Sequence, residues 1–478
     1  MSLHSLKPHF FLFLLLTFFG AIRLYIAPLT GLGVDEAHYA LYGEFLDWSY
    51  FDHPPLVGWI EHISTHYFGN NEFAVRLPAI IIGFMTSFLL YIFLYSITKN
   101  WNIALLGVIA LHASFIFNAL FLMFLPDTLL FLVLIPTIYA TIYVVQKQTT
   151  ISWIILGFLL GIAGLSKYTA ILFVVPIILF VMIKKEFKLF INPKIILTII
   201  IALACISPVI YWNIQHDWIS FSYQSNHVVG NPTINWESFA RSLAAQFAAY
   251  NPFLMPLAFY GLYKALRSKE DTLFLGGLFG LTLFGFFSYA SLYKTALPHW
   301  SALFYMLFIP IGVMCVYQNA KKYIKFSLLF GIGISLILYA ELAFKFIPQP
   351  DFQSLHRDLY GWNTIIQKAK DVAQNKPIGV TNWTLASRAM FYAKEHKQQK
   401  IYLLDNRFDQ FDLWNDATKL QGKDIIIINT HEFHKQLQDY IKCDSLEQKA
   451  KLELKLHNHF INEVEFIECK NYQGLKNE

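Results

Sequence analysis

The chain has 478 residues, of which 56% are hydrophobic and only 14% charged, with a net charge of +5 and a mean hydropathy of +0.44. That balance excludes an ordinary soluble domain, and lysines placed at the ends of apolar segments rather than along one face exclude a nucleic-acid surface. What remains is an integral membrane protein, its 45 Phe and 26 Tyr suited to lipid interfaces.

The first apolar run, Phe10 to Pro28, is longer than a signal-peptide core and lacks a small-x-small cleavage site. It reads as an uncleaved first span with Lys7 on the cytoplasmic side. Requiring ~20 apolar residues per span predicts about 11 segments. They are 9–28, 73–98, 101–121, 126–146, 151–165, 168–184, 195–213, 241–264, 272–290, 297–317 and 325–346. Lys99, Lys147, Lys184, Lys185, Lys188, Lys194, Lys264, Arg267, Lys269, Lys321, Lys322 and Lys325 then share one side, which is the cytoplasm. The loop 29–72 and everything after residue 346 face outward. Within that loop, Pro54-Pro55 predicts a rigid turn opening a helix from Leu56 to Tyr67. The segment from Gln215 to Glu237 is too polar to span and suits an interfacial position.

Composition changes at Ile347-Pro348-Gln349-Pro350, dividing a transmembrane domain, 1–346, from a soluble one, 347–478. In the latter, the stretches 376–381, 400–404 and 423–429 read as short buried strands, with a helix from Trp383 to Glu395 between the first two. Alternating strands and helices predict a small α/β layer with a partly parallel sheet. Cys205 and Cys315 lie in apolar spans as small hydrophobes. Cys443 and Cys469 both lie in the outward domain, where an oxidising compartment permits a disulfide, and the sequence leaves the paired and free states open. No cysteine spacing suggests zinc.

The densest chemistry follows the first span. Asp35, Glu36, Asp47 and Asp52, with His38 and His53, sit within one loop beside the membrane. Acids there are costly unless they react or bind. Asp35-Glu36 also suits an ordinary helix N-terminus. Adjacent helical residues point about 100° apart, so the two acids cannot both face one substrate atom.

The ordered set Asp35-Glu36-Ala37-His38-Tyr39, Tyr50-Phe51-Asp52-His53-Pro54-Pro55-Leu56, Phe73-Ala74-Val75-Arg76-Leu77-Pro78, Leu125-Pro126-Asp127-Thr128, Gly164-Leu165-Ser166-Lys167-Tyr168, Ser207-Pro208-Val209-Ile210-Tyr211-Trp212-Asn213, His216-Asp217-Trp218-Ile219-Ser220-Phe221 and Leu297-Pro298-His299-Trp300 resembles polytopic glycosyltransferases of the GT-C type. The similar groups are family-39-like: bacterial lipid A aminoarabinose and galacturonic acid transferases and, more distantly, protein O-mannosyltransferases. The resemblance covers residues 1–320 and implies a polytopic α-helical GT-C fold in a bacterial inner membrane, working as a monomer with its active site facing the periplasm. It implies a polyprenyl-phosphate-linked sugar as donor, a lipid or glycan of the envelope as acceptor, and membrane lipids as surroundings.

The same resemblance implies catalytic roles for Asp35, supported by Glu36, and for Asp127, whose bland alternative is a helix cap. A departing lipid phosphate gathers negative charge, so His53, Lys294, Arg241 and Lys167 are candidate phosphate ligands, against snorkelling to lipid headgroups. Where aminoarabinose transferases usually carry Lys, this chain has His53, as do relatives that transfer uronic acids or other hexoses; the change argues against aminoarabinose. Arg76 reads as structural, pairing with a loop acid. Asp52, His227 and His299 are candidate substrate contacts, with a turn, an interfacial helix and a hydrogen-bonded core His as the alternatives. The stretch Asn406 to Trp414 is a polar-aromatic patch, either a surface loop or an acceptor contact. No spacing requires a metal, and a divalent ion is left open. The competing readings are a protein O-glycosyltransferase and a lipid-linked-sugar flippase. Against the flippase, no internal repeat is evident and the ionisable groups sit near one surface.

Overall fold

The computed structural model describes residues 3–229, 233–347, 355–393, 400–430, 436–457 and 459–476. Its chain divides into two compact units. The first comprises Met1–Ala27, Asp47–Val57 and Arg76–Ala340. The second comprises Pro28–Leu46, Gly58–Val75 and Glu341–Glu478. The loop 29–72 is therefore shared: its Asp35 segment folds with the C-terminal part of the chain and its Asp52-His53 segment with the apolar helices.

Among the described residues, seven helices are long and apolar enough to cross a membrane: Lys7–Ile26, Glu72–Thr98, Pro126–Lys147, Ile195–Gln215, Asp271–Ser291, Pro298–Val316 and Lys321–Phe344. Three shorter apolar helices join them, Trp101–His112, Thr150–Ser166 and Tyr168–Ile183. Two expected spans are interrupted. The segment 101–121 stops at His112 and restarts as Phe115–Leu120. There the Asn118 amide donates to the carbonyl oxygens of His112 and Ser114, at 2.9 and 3.3 Å, and supplies partners the broken ladder would lack. The segment 241–264 is two helices, Trp236–Ala249 and Met255–Leu266. Asn251 adopts a left-handed φ of 68°, and Pro252 cannot continue a helix; the Asn251 amide instead donates to the carbonyls of Ala113 and Ser327. Elsewhere small residues set the packing. A Cβ on Gly157 would lie 2.6 Å from the Thr198 carbonyl oxygen, and one on Gly161 would overlap Cys205. Helices Thr150–Ser166 and Ile195–Gln215 thus approach as closely as their backbones permit.

In the second unit the strands are β1 (Ile378–Val380), β2 (Ile401–Leu403), β3 (Ile425–Thr430), β4 (Ile441–Lys442), β5 (Ser445–Leu456), β6 (His459–Lys470) and β7 (Gly474–Leu475). Five form one sheet in the order β2-β1-β3-β6-β5. β1 is parallel to β2 and β3, and β6 is antiparallel to β3 and β5. The first three are the buried runs expected from the sequence. Helices Trp362–Ala373 and Trp383–Ala393 share a core with this sheet, and Leu32, Ala37, Ala40 and Leu41 of the loop 29–72 belong to the same core. Cys443 and Cys469 form a disulfide.

Candidate functional site

In the first unit, Pro126 opens the helix Pro126–Lys147 and puts Asp127 in its first turn. The cap is made by Thr128, whose hydroxyl accepts the Leu125 N–H at 3.2 Å, so Asp127 is free of that duty. Asp127 is buried, and Lys167 Nζ donates to both of its carboxylate oxygens at 2.7 Å. Lys167 reaches it because the helix Thr150–Ser166 ends there in extended backbone (φ −156°, ψ 140°) before a 3-10 turn begins at Tyr168. His299 and His53 both lie within electrostatic reach of Asp127, as does the buried Tyr250. The Tyr250 hydroxyl donates to the Pro298 carbonyl at 2.8 Å, fixing the turn that carries His299.

The Asp52-His53 turn is moored to the neighbouring helices. His53 Nδ1 shares a hydrogen bond with Asp52 Oδ2 at 3.1 Å. Gln224 donates to the Asp52 carbonyl at 2.6 Å, Ser220 to the Tyr50 carbonyl at 3.0 Å, and the Trp212 indole to Asp47 Oδ2 at 2.9 Å. Ser49 and Tyr168 share a further bond at 3.3 Å. Asp47, Tyr168, Trp212 and Tyr250 are thus parts of this constellation that had no assigned role; Tyr168 and Trp212 lie in quoted motifs, but Tyr250 carries no local signal.

An apolar cavity of about 810 Å³ lies among helices Thr150–Ser166, Val174–Ile183 and Ile195–Gln215. Its lining includes Thr141, Trp153, Tyr168 and Phe221. Tyr168, the next residue after Lys167, is part of that lining.

The other candidates are placed differently. Arg241 is 70% exposed in an ion pair with Glu237 on its own helix, at 2.5 Å. Lys294 is exposed in the turn after Asp271–Ser291. Arg76 is buried and donates to the Ala27 carbonyl at 2.8 Å. His227 falls in the helix Ile219–Val229, outside the residues whose side chains are described. Among the described residues, no group of three or more His, Cys, Asp or Glu side chains is placed to hold a metal ion.

In the second unit, Gly33 caps the helix Val34–Glu44, and Glu36 Oε2 accepts the Gly33 N–H at 2.9 Å. Glu36, 1% exposed, thereby takes the N-terminal hydrogen bond of the helix, and Asp35 does not. Asp35 is half-buried one residue earlier in the same turn. Asp409, in the polar-aromatic patch, caps the helix Gln410–Trp414: it accepts the Phe411 N–H at 2.8 Å, while its own N–H donates to Asp412 at 2.8 Å. Burial pushes its carboxyl up to about 6, helped by Asp412 and opposed by the Phe411 N–H, His38 and Arg407.

These features define a polytopic membrane protein of the GT-C fold, and its chain is similar in sequence to lipid A-modifying glycosyltransferases. Residues 52–212 match the family described as dolichyl-phosphate-mannose-protein mannosyltransferase. Lipid A galacturonosyltransferase RgtD of Rhizobium johnstonii is 25% identical over 252 residues, 51% of this chain and 51% of that protein. Undecaprenyl phosphate-alpha-4-amino-4-deoxy-L-arabinose arabinosyl transferase 1 of Proteus mirabilis is 25% identical over 387 residues, 70% of this chain and 66% of the relative. The match thus spans about half of the first relative's length and 66% of the second's. In fold, the crystal structure of ArnT from Cupriavidus metallidurans bound to undecaprenyl phosphate aligns with a TM-score of 0.67 at 13% identity, covering 95% of this chain and 97% of that one. Its apo form gives 0.64 at 14% identity, covering 97% and 98%. The resemblance read from the motifs therefore holds in both sequence and fold.

Proposed function

We propose that this protein is an inverting glycosyltransferase that moves a sugar from a polyprenyl-phosphate donor to lipid A or a related envelope glycan on the periplasmic face of a bacterial inner membrane. The reading includes about 11 membrane crossings, a soluble periplasmic domain from residue 347, and a chain acting as a monomer. The observation that carries it is the buried Asp127–Lys167 pair, with His53 and His299 in electrostatic reach and Lys167 next in sequence to Tyr168, which lines the apolar cavity. A lipid-linked sugar phosphate needs both: hydrocarbon surroundings for its tail and fixed cationic or hydrogen-bonding groups for its phosphate. The names of the similar transferases, which act on lipid A or on undecaprenyl-phosphate aminoarabinose, support the same class of donor and acceptor.

In the proposed reaction an acceptor oxygen forms a bond to the anomeric carbon as the bond from that carbon to the phosphate oxygen breaks. The lipid phosphate leaves with the electron pair. A hydroxyl acceptor gives its proton to a carboxylate, for which Asp35 is assigned as general base; an acceptor phosphate already ionised is only positioned. Glu36 supports Asp35 by holding its helix turn. Lys167 and His53 contact the donor phosphate, Asp127 orients Lys167, and Asp52 orients His53. His299 and His227 are assigned to substrate, and Lys294 and Arg241 to phosphate approaching from the surface. A protein hydroxyl as acceptor is the second reading, favoured by the family description matched at residues 52–212. Mass spectrometry of lipid A and surface glycoproteins from a deletion strain separates the two. Loss of one sugar from lipid A is expected; unchanged lipid A with a lost protein glycan refutes the lead reading.

A further inference from the structure

Within the second unit, three consecutive backbone N–H groups just ahead of Asp35 are each held by a different acceptor. Gly31 donates to the Leu359 carbonyl at 2.7 Å, Leu32 to the Tyr392 hydroxyl at 2.8 Å, and Gly33 to Glu36 at 2.9 Å. The Tyr392 hydroxyl in turn donates to Glu72 Oε1 at 2.9 Å. One oxygen, on the helix Trp383–Ala393 of the C-terminal part of the chain, therefore ties together both ends of the loop that carries Asp35. The approach is close: a Cβ on Gly31 would stand 2.6 Å from the Leu359 oxygen and 2.9 Å from the Tyr392 hydroxyl. Helices Val34–Glu44 and Trp383–Ala393 share a core through Ala37, Ala40 and Leu41 on one side and Leu385, Ala386 and Ala389 on the other.

We infer that Tyr392 is a positioning residue for the reaction, holding the first turn of the helix Val34–Glu44 so that the Asp35 carboxylate keeps one geometry. The inference rests on the proposed role of Asp35. A backbone N–H in a loop samples several conformations unless it is tethered, and a misplacement of about 1 Å at a reacting group costs on the order of 100-fold in rate. The apolar contacts fix which face of the helix is buried. The Tyr392 hydroxyl fixes where the helix begins, because its bond lands on Leu32, the residue before the cap. The C-terminal part of the chain is on this view a support for catalysis, not only a surface for the acceptor.

The test uses full-length protein in lipid nanodiscs and three variants: Tyr392→Phe, Asp35→Asn, and Tyr440→Phe, which removes another hydroxyl of the same unit, bonded to Asp405. Hydrogen exchange at residues 31–37 and steady-state transfer are measured for each. Tyr392→Phe is expected to speed exchange at these amides and to lower kcat by roughly 10- to 100-fold, with KM for the lipid-linked donor unchanged; Tyr440→Phe changes neither. A Tyr392→Phe protein that keeps wild-type kcat while Asp35→Asn is inactive overturns the inference. So does a loss confined to KM, or unchanged exchange at residues 31–37. If Asp35→Asn itself turns over at the wild-type rate, the assignment of Asp35 fails and the positioning role falls with it; the exchange data then show separately whether the tether exists.

Discussion

The Lys167–Asp127 pair allows a stringent test, because its structural and functional roles predict opposite outcomes for its two halves. Lys167 Nζ lies 2.7 Å from each carboxylate oxygen, and both side chains are largely buried. Removing the cation alone leaves a buried carboxylate unpaired, at a cost of about 3–5 kcal/mol in stability. Lys167→Met should therefore lower the melting temperature in detergent, and Asp127→Leu together with Lys167→Met should restore most of it by removing both charges. Binding separates the roles. A charge-assisted hydrogen bond from Lys167 to the donor phosphate is worth about 1.5–3 kcal/mol, so its loss weakens undecaprenyl phosphate by roughly ten- to 150-fold. The double variant, though stable, should bind as weakly as Lys167→Met. Asp127→Asn keeps an acceptor for Lys167 but removes the competing negative charge, so it should bind the lipid phosphate at least as tightly as wild type while turnover falls. Native mass spectrometry of the protein titrated with undecaprenyl phosphate reads these affinities directly. Wild-type affinity in the stable double variant would refute the assignment and leave the pair as a staple between two helices.

Three further outcomes concern the second unit. Asp409, held at about 6 in the fold against ~3.9 in an unfolded chain, binds its proton more tightly when folded. Its cost is absent below about pH 4, grows as pH rises through 6, and reaches at most about 3 kcal/mol above that. Asp409→Asn, which keeps an oxygen for the Phe411 N–H, should raise the melting temperature at pH 7.5 and match wild type near pH 4; parallel stability curves would contradict this. The Cys443–Cys469 disulfide closes a separation of 26 residues, which loop-closure entropy makes worth about 3.5 kcal/mol. Reduction should lower the wild-type melting temperature and leave that of Cys443→Ser unchanged. Gly31→Ala should destabilise by about 1–3 kcal/mol, since the new methyl meets a backbone carbonyl that cannot rotate away; a thermal-shift assay on purified protein checks it.

Long-range polar contacts divide what was legible from what was not. The apolar helices follow directly from the hydropathy of their own residues, and β1, β2 and β3 are continuous buried runs such as Ile425–Thr430. The interruptions at His112 and Ala249 were hidden. They depend on Asn118 and Asn251 capturing carbonyls, one of them 76 residues away, which local hydropathy does not register. The β5–β6 hairpin was missed for a different reason. Its strands are rich in Glu and Lys, poor β-formers on propensity alone. Their pairing, which shifts register twice, includes diagonal cross-strand ion pairs such as Lys451–Glu463, at 2.8 Å, and Lys449–Glu468, at 2.9 Å. Asp127 and Lys167 were each legible as candidates from their motifs, but their bond across 40 residues was not.

The division of the loop 29–72 bears on how the proposed chemistry is built. Asp35 and Asp52 are close in sequence, and a reading of one dense acidic cluster follows naturally from that spacing. Yet residues 28–46 fold with the C-terminal part of the chain, and residues 47–57 with the apolar helices. Each segment is held by partners of its own: Leu359 and Tyr392 for the first, Trp212, Ser220 and Gln224 for the second. Two acids moored to different scaffolds are suited to different tasks. His53 and Asp52, fixed to helices that also line the apolar cavity, are suited to a donor whose tail stays in lipid. Asp35, fixed to a unit built around a sheet and its covering helices, is suited to whatever that unit recognises. On this argument, variants of Trp212 or Gln224 should act through donor affinity and variants of Tyr392 through turnover. Donor Kd and kcat measured on the same preparations decide whether that separation is real.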